Sequence, residues 1–364
     1  MNDWHVLIDR EDYRNTSVVE ATPTDLHDGQ CRLAVDTFGL TANNVTYAAA
    51  GDLIGYWNFF PAPDTDGETT WGRTPVWGFA DVVESCHDGL PEGERLYGYF
   101  PMSTELVIEP SRVNDHSVTD GSTHRSALPP VYNQYARCSG DPGYDPALEA
   151  EQMLYRPLFF TSFLIDDFLE DIAFGNTSTV ILASASSKTA FGTAHLLAKR
   201  DGITIVGLTS AGNVDFVNSL GCYDQVLAYE DTAQLPDGSA VLVDMSGNPD
   251  VVRSVHERYG DALGFSSAVG LTHWEDRQAA SGDPLPGPPQ EFFFAPSRVE
   301  QRHKDWGPGG LETRLGAAWP GFVETVSGQV EIEHLHGAEA VQATWAELVE
   351  GAASPSRAQV LHTR

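Results

Sequence analysis

Hydrophobic positions along this chain follow two different patterns. Up to about residue 150, short apolar runs at 32–36, 78–84 and 104–108 are separated by Gly, Pro and aromatic residues. Short strands with frequent turn signals are typical of a small β-barrel or sandwich. Residues 111–150 are polar and rich in Pro and Gly, which predicts a long connection that carries aromatic residues of its own.

From about residue 151 the apolar runs become continuous and alternate with helical stretches. Strands are predicted at residues 179–183, 203–208, 225–228, 240–244, 263–266 and 291–295. Strands that are apolar throughout and separated by helices form parallel sheets covered on both faces. The second half therefore predicts an α/β fold with a doubly wound parallel sheet, of the Rossmann type. The tail after this region predicts two further helices and two short strands.

The first predicted strand of this sheet runs directly into a serine-rich turn at residues 184–190. A strand, a tight turn and a helix N-terminus gather free N–H groups where the pyrophosphate of a dinucleotide can bind. Ser186, Ser187 and Thr189 offer hydroxyl groups there and Lys188 offers a charge, although the glycines of G-x-G-x-x-G are absent. A helix cap by one of the serines, with an exposed lysine, is the alternative reading without a ligand.

The second predicted strand ends near Thr209, Ser210 and Asn213. No Asp or Glu stands at this turn, where such a residue commonly binds the ribose 2′-hydroxyl of NAD. A carboxylate would repel a 2′-phosphate, whereas hydroxyl and amide groups can donate hydrogen bonds to it. The turn therefore favours NADP(H) as the cofactor.

Three segments of the second half resemble quinone oxidoreductases of the medium-chain dehydrogenase/reductase superfamily: residues 180–188, 205–210 and 213–221. In those proteins a strand, an A-S-G-G-V-G loop, a second strand and an S-L-G-A-D segment follow in this order. Ser187 and Lys188 fall on two of the loop glycines. Ala190 falls on the third, which serves helix–strand packing.

The first half resembles the zinc-free branch of the same superfamily. Residues 39–51, which include Thr46-Tyr47, are similar to its G-V-N-x-x-x-T-Y-x-x-x-G segment, and residues 94–98 match its G-D-R-V-x-G turn. The resemblance implies a GroES-like β-rich catalytic domain built around a Rossmann domain. The implied boundaries are 1–150 for the catalytic domain, 151–325 for the Rossmann domain and 326–364 for a segment that returns to the catalytic domain.

Zinc ligands are missing from the positions where this superfamily carries them. Catalytic zinc in this superfamily is bound by Cys, His and a further Cys or Asp, which are donors that zinc prefers, but Phe79 and Ala80 stand at the His-Glu position of the family. The four cysteines of the chain are scattered, and the lobe with four close cysteines is absent. We therefore expect no metal in the site.

Without a metal, the substrate oxygen must be polarised by hydrogen-bond donors or protonated by an acid such as tyrosine. The resemblance implies that Tyr47 lies near the nicotinamide. Asn43 or Asn44 could donate an amide hydrogen bond, and Tyr135 is a further catalytic candidate. A core aromatic for Tyr47 and a turn residue for Asn43 are the open alternatives.

Two further groups of residues are expected around the reacting atoms. The resemblance implies that Thr161, Gly270 and Leu271 lie beside the nicotinamide. A substrate pocket could be lined by Tyr56, Trp57, Tyr132, Asn133 and Phe294. Without a substrate, apolar packing is the favoured explanation of Tyr56 and Trp57, and a polar loop is the alternative explanation of Tyr132 and Asn133.

The formal net charge of −31 limits the partners of the chain. Such a surface repels phosphate backbones and anionic lipids, so no nucleic acid and no membrane partner is expected. No run approaches the roughly 20 apolar residues of a spanning helix, and the N-terminus lacks the pattern of a secretory signal. We expect a cytoplasmic protein acting on a small molecule, with a homodimer left open.

Together these patterns favour NADPH-dependent reduction of an activated double bond or carbonyl in a quinone- or enone-like molecule. Tyr47 or an ordered water would deliver the proton. Two alternatives stay open: a lyase or isomerase that uses tightly bound NADP(H), and a binding protein that retains the fold.

Zinc independence is the first testable prediction. Protein purified without a metal-affinity tag should contain well below one zinc per chain by elemental analysis, because Phe79 and Ala80 cannot bind the metal. Stoichiometric zinc whose removal by a chelator abolishes activity would contradict this.

Overall fold

A computed structural model describes residues 3–22, 24–63, 70–172, 177–269 and 284–364 of the chain. The chain divides into two compact units. Unit 1 comprises Met1–Leu154 together with Glu331–Arg364, and unit 2 comprises Tyr155–Val330. The boundaries expected from the sequence lie a few residues earlier than these divisions. No helix in the described ranges is both long and apolar enough to cross a lipid bilayer.

Unit 1 is built mainly from strands. They are β1 (Trp4–Asp9), β2 (Thr16–Glu20), β3 (Cys31–Leu40), β4 (Trp71–Gly72), β5 (Pro75–Ser85), β6 (Arg95–Pro101), β7 (Glu105–Ile108), β8 (Pro110–Val113), β9 (Ser117–Asp120), β10 (Gln134–Arg137), β17 (Glu331–His336) and β18 (Arg357–His362). Its helices are α1 (Ala42–Ala49), α2 (Gly51–Ile54) and α9 (Gly337–Val349).

The strands of unit 1 form two sheets, with the orders β2-β1-β4 and β17-β18-β3-β5-β6-β10-β9-β8, and β7 also pairs with β3 in the second sheet. The C-terminal strand β18 pairs antiparallel with β3, so the end of the chain is part of this unit. Phe38, Phe100 and Trp345 lie in its core without solvent exposure. The predicted connection over 111–150 was wrong in part, because it contains most of β8 and the whole of the short strands β9 and β10. These strands are polar, so a search for apolar runs does not detect them.

A buried ion pair holds this missed region together. Arg125 donates to Asp120 at 2.7 Å, and both side chains are only 1% exposed. Arg125 also donates to the Tyr135 hydroxyl at 2.9 Å, to Asn133 Oδ1 at 3.0 Å and to the Tyr132 carbonyl at 2.8 Å. A buried guanidinium needs such partners, because an unpaired charge is costly away from water.

Unit 2 alternates strands and helices. Its strands are β11 (Thr179–Ala183), β12 (Thr204–Thr209), β13 (Gln225–Ala228), β14 (Ala240–Asp244), β15 (Leu263–Val269) and β16 (Gln290–Phe293). Its helices are α4 (Lys188–Leu197), α5 (Val214–Ser219), α6 (Pro249–Tyr259), α7 (Ala295–Trp306) and α8 (Gly310–Val326), while α3 (Glu149–Ile172) begins in unit 1 and ends in unit 2.

The strands of unit 2 form one parallel sheet with the order β13-β12-β11-β14-β15-β16. The strand order reverses between β11 and β14, which makes this the switch point of a doubly wound sheet. Every residue of β11 and β14 is buried, as expected for strands covered on both faces. The predicted fold class is therefore confirmed.

Arg125→Met should lower the free energy of unfolding by about 3–5 kcal/mol, because it leaves Asp120 charged and unpaired in the core. Arg364→Met is the matched control: its ion pair with Asp3 is 67% and 34% exposed, so its loss should cost below about 1 kcal/mol. Urea denaturation measures both values. Equal losses in the two variants would contradict the importance of the buried pair.

Candidate functional site

The turn between β11 and α4 lies at the switch point of the parallel sheet. Ser187 caps the helix, and its Oγ accepts the N–H of Ala190 at 3.3 Å. The first turn of a helix leaves N–H groups without intrahelical acceptors. Since Ser187 occupies that of Ala190, the amides of Lys188 and Thr189 are left to meet an anion at the positive end of the helix dipole.

The structure shows how this turn works without glycines. Ser187 has φ −74° and ψ 147°, and Lys188 is already helical, so neither position requires a glycine. Among the described non-glycine residues, Ser184 alone has a positive φ, at 60°. The Tyr229 hydroxyl hydrogen-bonds to Ser184, and burial raises the pKa of Tyr229 while this bond partly offsets the rise.

Close approach to the neighbouring strand depends on a glycine outside the turn. A Cβ on Gly207 of β12 would lie 2.9 Å from Ala185 Cβ and 3.0 Å from the Tyr223 ring. The Tyr223 hydroxyl donates to the Ala185 carbonyl at 2.9 Å and fixes the turn on this strand. Gly207 on β12, rather than a glycine in the turn, therefore provides the space for this close approach.

A second glycine brings α4 close to α3. A Cβ on Gly192 would lie 2.6 Å from Ser162 Oγ, which donates to the Thr189 carbonyl at 2.8 Å. Ala190 is fully buried beside this contact. Thr161 precedes Ser162 on α3 and is half-buried.

Lys188 is a desolvated cation at the start of α4. Its Nζ lies 5.9 Å from the centroid of the Tyr155 ring. In the part of the chain that the structure describes, no carboxylate forms an ion pair with it. Burial alone lowers the pKa of Lys188 to about 8. An incoming anion would restore the stabilisation that the ammonium loses by leaving water.

Three polar side chains meet beside the turn, at the end of β12. Ser186 Oγ accepts from Thr209 Oγ1 and from Asn213 Nδ2, each at 3.4 Å. Ser210, between them in sequence, is exposed. These contacts are long, so the same hydroxyl and amide groups can turn to a ligand.

In unit 1 the structure assembles a cluster of tyrosines. The ring of Tyr47 lies 4.7 Å from that of Tyr56 and 5.6 Å from that of Tyr99, and Tyr99 stacks on Tyr132 at 4.7 Å. The hydroxyls of Tyr56 and Tyr132 are 3.3 Å apart, and Trp77 Nε1 donates to the Tyr47 hydroxyl at 3.3 Å. We call these five residues the tyrosine cluster.

The tyrosine hydroxyls remain protonated at neutral pH. Burial raises the pKa of Tyr47, and hydrogen bonds with Trp77, Asn43 and Tyr99 offset only part of the rise. Burial likewise raises the pKa of Tyr56 and Tyr132. The cluster can therefore donate hydrogen bonds to an oxygen but does not hold a phenolate.

The remaining catalytic and substrate-pocket candidates lie outside the tyrosine cluster. Tyr135 and Asn133 are buried partners of Arg125. Trp57 packs in the core of unit 1, against Gly51 and Gly72. Phe294 follows β16 in unit 2 and is 48% exposed. The candidates Gly270 and Leu271 lie outside the described residues.

Two residues of these sites were missed by the sequence reasoning. Tyr229 follows β13 directly, at the carboxyl edge where ligands of parallel sheets bind, so its position in the sequence was a usable signal. Tyr99 lies in the middle of β6, where a tyrosine is indistinguishable from a core aromatic. Among the described residues, no group of three or more His, Cys, Asp or Glu side chains could hold a metal ion.

Comparison with known proteins places the chain in a family. The model of a family described as "Protein of unknown function (DUF2855)" matches residues 38–354. The chain belongs to this family. A comparison with curated proteins finds no match.

Solved structures share the fold over nearly the whole chain. CurA from Vibrio vulnificus in complex with NADPH has a TM-score of 0.62 at 12% identity, covering 99% of each chain. The yhdH oxidoreductase from Salmonella enterica in complex with NADP has a TM-score of 0.56 at 14% identity, covering 99% of this chain and 100% of that one. The quinone oxidoreductase from Coxiella burnetii has a TM-score of 0.55 at 14% identity, with full coverage of both chains. The resemblance to medium-chain dehydrogenase/reductase proteins is thus confirmed at the level of the fold.

Gly207→Ala tests how the turn is held. The added methyl should lower the free energy of unfolding by about 1–3 kcal/mol through overpacking and should displace the turn at Ala185. Gly316→Ala is the matched control, because a Cβ there meets open space on α8, and alanine in a helix is favoured by up to about 1 kcal/mol. Thermal or urea unfolding measures both, and an unaffected Gly207→Ala variant would contradict the packing.

Proposed function

We propose that the chain is an NADPH-dependent, zinc-independent reductase of an activated double bond or carbonyl in a quinone- or enone-like molecule. The observation that carries the proposal is the turn at the switch point of unit 2, where Lys188 lies at the start of α4 and has no acidic partner among the residues that the structure describes. Its setting is a fold shared with proteins crystallised with NADPH and NADP.

The pyrophosphate and the 2′-phosphate of the cofactor would be bound by different groups of the protein. The pyrophosphate would accept from the amides of Lys188 and Thr189, while Ser186, Thr209 and Asn213 offer hydroxyl and amide donors for the 2′-phosphate. No carboxylate belongs to this second group. NADPH should therefore bind more tightly than NADH.

The reduced nicotinamide supplies the hydride when the cofactor is bound. The protein must stabilise the negative charge that develops on the substrate oxygen, and preorganised donors do this best in a site that excludes water. The neutral hydroxyl of Tyr47 is such a donor, and Trp77, Asn43 and Tyr99 hold it in place. The hydroxyls of Tyr56 and Tyr132, which lie 3.3 Å apart, belong to the same cluster.

Lys188→Ala tests the cofactor site. A charge-assisted hydrogen bond contributes roughly 1.5–3 kcal/mol, so the variant should weaken NADPH binding about ten- to hundredfold without lowering the thermal stability of the free protein. Lys199→Ala, which removes an exposed lysine just after the end of α4, should leave binding unchanged. Fluorescence titration measures both. Wild-type affinity in the Lys188→Ala variant would contradict the role.

The same titration separates two contacts of Lys188. A larger loss for NADPH than for NADH indicates the 2′-phosphate, and equal losses indicate the pyrophosphate.

Tyr47→Phe tests the tyrosine cluster. With the best substrate from a panel of quinones and enones, kcat should fall about 10²- to 10⁴-fold, while NADPH affinity barely changes. Tyr135→Phe is the matched control. It removes a buried hydroxyl that contacts Arg125, so it should lower stability by about 1 kcal/mol and leave kcat unchanged.

Unchanged turnover in Tyr47→Phe would return Tyr47 to a purely structural role. NADPH binding without turnover on the whole panel would favour a lyase or isomerase. No binding at all would favour a binding protein on this fold.

A further inference from the structure

Three histidines lie side by side on one face of the larger sheet of unit 1. His334 and His336 are on β17, and His362 is on the parallel neighbour β18, directly opposite His336. Residues two apart in a strand point to the same face, so His334 shares the face of His336. The rings are stacked, with the centroid of His362 lying 4.7 Å from that of His336 and 5.2 Å from that of His334. His334 and His336 are exposed and His362 is half-buried, so solvent reaches the group.

Two imidazole nitrogens of this group are close enough to bind one metal ion. His334 Nδ1 and His362 Nε2 lie 2.9 Å apart. Imidazole nitrogens bind divalent metals at about 2.0–2.1 Å, so two of them are about 2.9 Å apart when they meet the metal at a right angle and about 3.3–3.4 Å apart at the tetrahedral angle. Neighbouring positions around square-planar or tetragonal Cu²⁺ and Ni²⁺ form a right angle, whereas Zn²⁺ prefers a tetrahedron. The observed spacing therefore fits Cu²⁺ or Ni²⁺ better than Zn²⁺.

The hydrogen bond between these two nitrogens can give way to a metal. One ring donates an N–H to the other, and in a neutral imidazole the same hydrogen can move to the second nitrogen of its ring. Binding of a metal between the rings therefore requires no net loss of a proton. Burial and the neighbouring His336 and His334 lower the pKa of His362, while the Asp36 and Glu149 carboxylates act in the opposite direction. His362 is thus in the neutral form that binds metals at neutral pH.

His336 already has a different partner. Its Nδ1 donates to the Arg364 carbonyl at 2.9 Å. The geometry points to a pair of ligands, His334 and His362, with His336 as a neighbour of similar exposure. A pair agrees with the finding that no group of three or more metal-binding side chains occurs among the described residues.

We propose that His334 and His362 form a binding site for a divalent metal of square-planar or tetragonal preference, Cu²⁺ or Ni²⁺, with water in the remaining positions. The metal would cross-link β17, which stands at the end of the strand order of its sheet, to β18, which pairs with β3. The site uses no residue of the tyrosine cluster or of the turn before α4. It is therefore independent of the proposed function and of the expected absence of catalytic zinc.

Calorimetric titration of the chelator-treated protein with Ni²⁺ at neutral pH tests the site. The wild-type protein should bind one Ni²⁺ here, and His334→Gln or His362→Gln should each weaken this binding at least about tenfold. The double variant should be no weaker than either single variant, because a single imidazole does not chelate. His336→Gln is the matched control and should keep the wild-type affinity. Below about pH 6 the wild-type affinity should fall, since a protonated imidazole does not bind metal.

Two further measurements test the geometry of the site. Zn²⁺ should bind more weakly than Ni²⁺, and the electron paramagnetic resonance spectrum with one equivalent of Cu²⁺ should show two imidazole nitrogens in the wild type but not in either single variant. Circular dichroism checks that the variants are folded. Wild-type Ni²⁺ affinity in both single variants, or an equal loss in His336→Gln, would overturn the proposal. Zn²⁺ binding as tight as that of Ni²⁺ would overturn the right-angle geometry on which it rests.

Discussion

Parallel pairing of β11 with β12 on one side and β14 on the other is the constraint on which the rest of unit 2 depends. It places Ala183 opposite both Leu208 and Asp244, so three strands end at one edge. Only there can backbone amides, a helix terminus and the side chains after β12 converge. The turn at the switch point is therefore a consequence of the helical crossover connections, which return each strand in the same direction and cover both faces of the sheet.

The turn at the switch point lacks the glycines that usually let an anion approach the backbone there. A glycine-rich loop gives an anion close access to backbone amides at no steric cost. Here the close approach is provided from the facing strand by Gly207, and the one left-handed position is taken by Ser184 and held by Tyr229. The turn presents a cation in place of bare backbone. The chain has a net charge of −31, and Lys188 has no acidic partner in the described ranges. This lysine therefore makes the turn locally favourable for an anion.

Much of the fold of unit 2 could be predicted from the sequence, because a continuous apolar run indicates a strand that is buried on both faces. The sheet of unit 2 follows from that pattern. A helix cap by Ser186 or Ser187 was an alternative interpretation of the turn, and the structure gives this cap to Ser187. The roles of Tyr135 and Asn133 could not be predicted, since a row of polar residues looks the same whether it faces a substrate or a buried Arg125. Short polar strands such as β9 were missed for the same reason: their burial depends on partners distant in the sequence.

The most direct test of the central claim is a calorimetric titration of the wild-type protein with NADPH and with NADH. We expect one NADPH bound per chain, with weaker binding of NADH under the same conditions. The affinity for NADPH should fall as salt is added, because phosphate charges are recognised. Absence of NADPH binding at millimolar concentration, or equal affinity for the two cofactors, would contradict it.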